Sequence, residues 1–167
     1  MSEIMQALYR GDDETARRLA ETTELDVFEA ASLGQAERLR ELLAADPALA
    51  QARSDDDFTA LHYAAFFDGP ETALLLVEHD ADVNAFADNE LGVHPLNSAA
   101  AASQREVAAI LLEHGADPNA PTRRGFTPLD AAQANGDEKL AELLRPTAHA
   151  TSRDPDLVTD CYLSRSA

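Results

Sequence analysis

Residues 59–65 read TALHYAA, and this stretch decides the fold because its pattern recurs along the chain. With Leu61 as the anchor, the same frame falls on apolar residues at spacings of 34, 35 and 33 residues, and a shortened copy lies 23 residues before the first of these. A fixed period of this size is typical of a stack of small repeated units. The five anchors are Ile4, Val27, Leu61, Leu96 and Leu129.

A second position of the frame is always alanine, three residues after the anchor. Seven residues after the anchor stand residues suited to ending a helix and entering a turn, and a second apolar segment then follows in every unit. Each unit is therefore predicted to be a pair of antiparallel helices, with short side chains where neighbouring units approach closely. The alanines are Ala7, Ala30, Ala64, Ala99 and Ala132, and the turn residues are Gly11, Gly34, Asp68, Ser103 and Gly136.

The second helices differ between the middle and the ends of the series. Residues 73–77 (ALLLV) and 107–112 (VAAILL) are apolar nearly all round, as expected of helices covered on both sides. The first and last units carry Arg17, Arg18, Lys139 and Glu142 among their apolar residues, as expected of ends that meet water. Residues 1–145 are predicted to form one linear stack.

These patterns resemble the ankyrin repeat, over about 140 residues. TALHYAA with DADVN, GVHPLNSAA with HGADPN, and GFTPLDAA match its T-P-L-H, A-A and G-A-D-x-N elements. The resemblance implies an all-α solenoid of about five helix pairs, with short β-hairpin loops between the later repeats. Three departures stand out: Ala60 replaces the proline, His94 replaces the threonine, and Asp57 replaces the turn glycine, although Asp tolerates a left-handed backbone.

Two adjacent phenylalanines, Phe66 and Phe67, lie near the end of a predicted first helix. A helix cannot turn both neighbours toward one core, so at least one of them is expected to face outward. In the ankyrin family, first helices and hairpin tips line a concave side that contacts partners, and this frame places both rings there. The alternative is that one ring packs beneath a neighbouring hairpin.

The resemblance implies a non-catalytic module that binds another protein through this side and the hairpin tips. Two predicted tips are acidic and the third is basic, an order that would fix the direction of a bound partner, although charged tips also simply keep loops hydrated. The predicted partner-binding residues are Phe58, Phe66, Phe67, Asp55, Asp56, Glu90, Leu91, Arg123, Arg124 and Phe126.

The chain carries a formal net charge of -18 at pH 7, which disfavours nucleic acids and anionic membranes as partners. A protein partner fits better, and the protein is expected to be a monomer. One alternative is that the acidic shell mimics a polyanion and blocks a basic, nucleic-acid-binding protein. Another is that the charge serves solubility alone.

Recognisable catalytic or metal-binding chemistry is absent from the sequence. The single cysteine, Cys161, excludes an internal disulfide, and no phosphate loop, nucleophile elbow or H-E-x-x-H helix occurs. His79 and His114 occupy the same slot of successive units, while His62 and His94 belong to the T-P-L-H frame. We therefore predict no enzyme activity, no cofactor and no metal site.

Residues 146–167 contain prolines, serines and threonines that argue against a further repeat. Disorder is the first expectation for this tail; residues 156–163 (DLVTDCYL) could instead cap the last unit or occupy the concave groove. The N-terminus lacks a signal-peptide pattern and no stretch reaches the length of a membrane span, which predicts a cytoplasmic protein. Richness in alanine and arginine with one lysine, Lys139, indicates a G+C-rich, bacterial genome.

Overall fold

The computed structural model describes residues 2–67 and 69–145, and these residues form five consecutive pairs of α-helices. The predicted tail lies outside the described residues. A 3₁₀ turn, Pro47–Gln51, follows the second pair in place of the usual G-A-D-x-N segment. The pairs are α1 (Glu3–Tyr9) with α2 (Asp13–Ala20), α3 (Val27–Ser32) with α4 (Ala36–Ala45), α5 (Ala60–Phe66) with α6 (Pro70–Glu78), α7 (Pro95–Ala101) with α8 (Arg105–Glu113), and α9 (Pro128–Ala134) with α10 (Glu138–Leu144).

Four of the first helices begin with a reciprocal side-chain cap, in which the residue at the N-cap pairs with the residue three positions later. In α5 the Thr59 N–H donates to His62 Nδ1 at 3.2 Å, and in α9 the Thr127 N–H donates to Asp130 Oδ2 at 2.7 Å. Such caps satisfy backbone donors that the first turn leaves free. The full set of pairs is Asp26 with Glu29, Thr59 with His62, His94 with Asn97, and Thr127 with Asp130.

The helices form two layers. First helices pack on the first helices of neighbouring units, α3 on α5, α5 on α7 and α7 on α9, while α4, α6, α8 and α10 pack in the same order behind them. We call these the first-helix layer and the second-helix layer. All five frame alanines are buried at the interfaces, and every anchor is buried except Leu129, which is partly buried in the last unit. The predicted solenoid of helix pairs is confirmed.

The turns that follow α1, α3, α7 and α9 each use a left-handed backbone residue. Gly11, Gly34, Ser103 and Gly136 have φ between 59° and 72°, as the frame predicts, while Asp68 lies outside the described residues. Asp57, which replaces the usual turn glycine, also adopts a positive φ of 62°. Here its carboxylate accepts hydrogen bonds from Arg53 and from the Asp88 N–H, which hold the residue in place.

The predicted β-hairpins are not seen: within the described ranges the connections are tight turns without strands. Loop 1 (residues 52–59) contains a single isolated bridge, between Arg53 and Thr59, and loop 2 (residues 85–94) is closed by the Ala87 N–H donating to Val93 O at 2.9 Å. Loop 3 (residues 120–127) is closed by Thr122 N–H and Phe126 O at 2.8 Å. The turns reverse the chain too soon for a ladder to extend.

The middle helices of the second-helix layer are covered only in part, since Val77, Ile110 and Leu112 are partly exposed. Leu75, Leu76 and Leu111 are buried, but Leu74 remains exposed, so α6 is not covered all round. An ion pair joins this layer to the next unit, because Arg105 Nε donates to both carboxylate oxygens of Asp137 at 2.8 and 2.9 Å. That bond is the main cause that lowers the pKa of the Asp137 carboxyl, which also caps α10. No described helix is long and apolar enough to cross a membrane.

Gly69, the residue before α6, lies in a close contact with the preceding unit. A Cβ placed on it would stand 2.3 Å from Thr72 Oγ1 and 3.1 Å from Ala31 O. The fully buried Thr72 hydroxyl lies 3.0 Å from Gly69 O and 3.2 Å from Ala31 O, and so connects the unit to its predecessor. Other second helices have a non-glycine residue at this position, such as Asp12 or Gln35, with similar backbone angles. The backbone conformation therefore does not require glycine here. The lack of space for a side chain does.

We expect Gly69→Ala to lower the free energy of unfolding by about 2 kcal/mol, because the new methyl group displaces the Thr72 hydroxyl from its buried acceptors. Urea denaturation followed by circular dichroism measures the change. In a double-mutant cycle with Thr72→Ala, the two changes should be less destabilising together than their sum. Additive effects would show that the methyl group and the hydroxyl do not compete for the same space.

Candidate functional site

Three aromatic rings from two units meet on the open side of the first-helix layer. The ring of Tyr9, at the end of α1, lies 5.3 Å from the ring of Phe67 and 6.5 Å from that of Phe66. The two phenylalanine rings stand edge to face at 5.1 Å. Phe66 is 41% exposed, whereas Phe67 is half-buried against the core. The prediction that at least one of the pair faces outward is confirmed.

Phe66 forms one wall of a groove that we call the aromatic groove. It runs between α5 and α7, has a volume of about 270 Å³, and has an almost entirely apolar surface. Loop 1 contributes Phe58, loop 2 contributes Leu91 and Val93, and the end of α1 contributes Tyr9, so two loops and three helices line it. The lining residues are Tyr9, Phe58, His62, Tyr63, Phe66, Leu91, Val93, Asn97, Ser98 and Ala101.

The groove is apolar because the polar groups of its lining residues are hydrogen-bonded to other atoms of the protein. His62 Nδ1 lies 2.9 Å from Thr59 Oγ1, and its Nε2 lies 3.2 Å from Val93 O. Asn97 holds the same slot one unit later, and its Nδ2 donates to Ala120 O at 3.1 Å. Each of the two residues therefore joins its own unit to the loop that follows. Their polar atoms are used in these bonds, so mainly apolar atoms line the groove.

Tyr63 links the groove to the core. Its ring packs on Phe28 and Phe58, each at 5.7 Å, and its hydroxyl donates to Ser54 Oγ at 3.1 Å. Tyr63 is itself buried in the core. Burial raises the pKa of Tyr9 to about 12, with smaller contributions from Tyr63 and from the carboxylate of Asp56. The Tyr9 phenol thus stays protonated and neutral at the rim of the groove.

The loops are tied to one another in sequence. Arg53 donates to the Asp57 carboxylate at 2.8 Å and to Phe86 O at 2.9 Å, which joins loop 1 to loop 2. Arg123 joins loop 3 to loop 2, because it donates to Asn89 O at 2.9 Å, pairs with the Asp88 carboxylate and lies over the Phe86 ring at 5.6 Å. This side of the protein is therefore a connected surface whose loops hold each other in position.

The structure brings only some of the predicted contact residues together. Phe58, Phe66 and Leu91 line the groove, and Phe67 lies directly behind Phe66. Asp55, Asp56, Glu90 and Arg124 are exposed on the loops around it. Phe126 is 60% exposed on loop 3 and does not line the groove. Arg123 is already paired with loop 2, so its guanidinium is not a free basic tip.

Most of the groove lining was absent from the predicted contact set, including its walls Tyr9 and Val93. The repeat frame places Tyr9 at the same open position as Phe66, and an aromatic residue at both positions was the available signal. Val93 carried no such signal, because it reaches the groove only through the path of loop 2, whose Ala87 and Val93 backbones are bonded. Repeat position thus finds residues on helices better than residues on irregular loops.

Histidines and aspartates at repeated positions of the frame make structural hydrogen bonds. His79 Nδ1 lies 2.9 Å from Leu75 O, and His114 Nδ1 lies 2.7 Å from Ile110 O, so both close the end of a second helix. Asp82 and Asp117 each accept the backbone N–H two residues later at 2.9 Å. Among the described residues, no group of three or more His, Cys, Asp or Glu side chains could hold a metal ion.

Comparison with known proteins agrees with the architecture. Residues 4–87 match the family described as ankyrin repeats in three copies, and residues 76–132 match ankyrin repeats in many copies. The chain is also 46% identical over 68 residues to the probable E3 ubiquitin-protein ligase XBOS31 of Oryza sativa subsp. japonica. That match covers 40% of this chain but only 15% of the rice protein.

Proposed function

Because this chain belongs to the ankyrin repeat family, whose repeats are protein-protein interaction modules, we propose that it binds a partner protein through the aromatic groove. In this proposal the protein binds its partner and catalyses no reaction. The observation that carries it is the groove itself, an apolar surface of about 270 Å³ bounded by the exposed ring of Phe66. Leaving such a ring in water forgoes part of the roughly 1.5–3 kcal/mol that its full burial would contribute.

The size of the groove favours a side chain of a partner protein over a free small molecule. Pockets for small molecules usually have volumes of about 300–1,000 Å³ and carry a few converging polar groups. This groove falls below that range, and its histidine and asparagine are already hydrogen-bonded to neighbouring backbone. One or two bulky apolar side chains, held in a segment of a partner protein, suit it better.

Phe66→Ala is expected to weaken the binding of a groove-directed peptide by about tenfold or more, because aromatic anchors dominate such interfaces. Its effect on the free energy of unfolding should stay below about 1 kcal/mol, since the ring is partly in water. Peptides selected from a displayed random library against the wild-type protein provide the probe, and fluorescence anisotropy provides the affinity. Phe67→Ala is less informative because Phe67 also packs against the core.

Leu143→Ala is the matched control, because Leu143 is 40% exposed, close to the 41% of Phe66, but lies on α10 in the other layer. It should leave peptide affinity unchanged. Equal losses in the two variants, or unfolding of Phe66→Ala, would overturn the assignment of the groove as the binding surface.

Salt dependence separates this proposal from polyanion mimicry. An acidic shell that copies a nucleic acid would capture basic proteins with an affinity that falls steeply as salt rises. An apolar anchor in the groove is insensitive to salt. If all binding disappeared on raising the salt from about 0.1 M to 1 M, where the Debye length shrinks from about 10 to 3 Å, mimicry would be the better function.

A further inference from the structure

A second depression, of about 260 Å³, lies beside the aromatic groove and differs from it in chemistry. The two share Tyr63 as a common wall, so one partner segment could contact both. Carboxylates of Asp26, Asp55 and Asp56 line the depression, next to the ring of Phe28. We call it the acidic depression.

The carboxylates of the acidic depression are largely uncompensated. Within the described residues, Asp55 and Asp56 make no side-chain hydrogen bond or ion pair. Asp26 uses only Oδ1, which accepts the backbone N–H groups of Phe28 and Glu29 at 2.8 Å. Arg53, the one cationic side chain among the described residues that line it, is already paired with the Asp57 carboxylate at 2.8 Å. The depression is therefore complementary to a cationic side chain.

A further carboxylate lies at the loop 2 edge of the groove. Glu90 is exposed on loop 2 and adjoins Leu91, which lines the groove. Among the described residues it has no hydrogen bond or ion pair. An apolar centre with carboxylates beside it matches an apolar anchor with basic neighbours, and such complementarity selects among partners and speeds their approach.

We propose that the partner presents a bulky apolar side chain to the aromatic groove and a nearby arginine or lysine to the acidic depression. This inference rests on the proposed function and adds the chemistry of the partner. The guanidinium or ammonium group lies among Asp26, Asp55 and Asp56, beside the ring of Phe28. A purely apolar segment would leave the carboxylates without a counter-ion, and an acidic segment would be repelled.

The test uses displayed random peptides of about twelve residues selected against the wild-type chain of 167 residues. Selected sequences should combine an aromatic or large aliphatic residue with an arginine or lysine within a few positions. The double variant Asp55→Asn with Asp56→Asn should still select the apolar residue but lose the basic one. It should bind wild-type-selected peptides about three- to tenfold more weakly in 0.1 M salt, since each exposed charge pair contributes modestly.

The matched control is Glu78→Gln with Glu113→Gln, which changes the net charge by the same amount at exposed ends of α6 and α8. Its affinity for the selected peptides should equal that of the wild type. An equal loss in both double variants would show a general effect of net charge and would overturn the acidic depression as a site.

The arms separate failure of this inference from failure of the proposed function. Selected peptides with apolar residues but no basic enrichment, or without sensitivity to the asparagine variant, would overturn the inference and keep the groove. Peptides that bind Phe66→Ala as well as wild type would overturn the groove itself. The last experiment adds a synthetic peptide of residues 146–167 to the complex with a selected peptide. If it displaced the selected peptide at equal concentration, the chain's own tail would be the occupant of the site. That result would overturn the proposal of a basic partner.

Discussion

Ala64→Leu should lower the free energy of unfolding by about 3 kcal/mol or more. Ala64 is fully buried at the frame position where α5 meets its neighbours, and a Cβ on Gly69 would lie only 3.5 Å from its Cα. Three additional carbon atoms have no space there, and overpacking of this kind forces helices apart or side chains out of their preferred rotamers. Domains are stable by only about 5–15 kcal/mol, so the loss is a large fraction of the total.

Ala134→Leu is the control for this substitution, because Ala134 is exposed on the equivalent helix α9. The two changes have the same chemistry and the same helix propensity cost, so their difference reports packing alone. Urea denaturation with far-ultraviolet circular dichroism measures both. If Ala64→Leu were less than about 1 kcal/mol worse than Ala134→Leu, the recurring alanine would not be setting the spacing between units.

His62 should make the fold sensitive to acid. Burial is the main cause that lowers the pKa of His62, from its ordinary 6.5 to about 4, and Arg53 and His94 lower it further. Its hydrogen bond to Val93 and the charge of Asp57 oppose the shift only in part. Protonation of Nδ1 would also remove the acceptor for the Thr59 N–H. The folded protein therefore holds this imidazole neutral.

The direction of the effect follows from proton binding. Between about pH 6.5 and 4 the unfolded chain binds a proton at His62 and the folded chain does not, so unfolding is favoured as the pH falls. A pKa lowered from 6.5 to about 4 corresponds to a loss of about 3 kcal/mol across this window. The destabilisation from His62 is absent above pH 6.5 and reaches its full size below about pH 4.

His62→Asn isolates this contribution, because Asn97 fills the same slot in the next unit and bonds the following loop. The variant should be less stable than wild type at pH 7.5, but the gap should close or reverse by pH 4.5. The carboxylates titrate in both proteins, so their effect on the free energy of unfolding cancels when the two proteins are compared. Parallel curves of unfolding free energy against pH for the two proteins would show that His62 is not held neutral by the fold.

The repeat pattern predicted the helix pairs, their interfaces and their turns because these depend on local sequence. An alanine at a fixed place in every unit reports the distance between helices, and Ala7, Ala30 and Ala132 are all buried as the frame requires. Glycine, serine or aspartate at a turn reports a positive φ, which Gly34, Ser103 and Asp57 adopt. Each signal is carried by residues close together in the chain.

The site was only partly predictable, for the opposite reason. That Phe66 faces outward while Phe67 turns inward depends on Tyr9, which is more than fifty residues earlier and lies 5.3 Å from the Phe67 ring. Likewise, Arg123 is not available to a partner because its guanidinium is bonded to Asp88 and Asn89 in another unit. Position in the frame gives the direction of a side chain but not the neighbour that it meets.

The sequence by itself determined that this protein is a stack of helix pairs, because a periodic apolar pattern leaves each pair one way to bury its surface. Tertiary structure alone decided where that stack has a groove. The groove exists because loops 1 and 2 bring Phe58 and Leu91 across from separate units to face Phe66, and contacts between distant residues are set by packing, which no local pattern records.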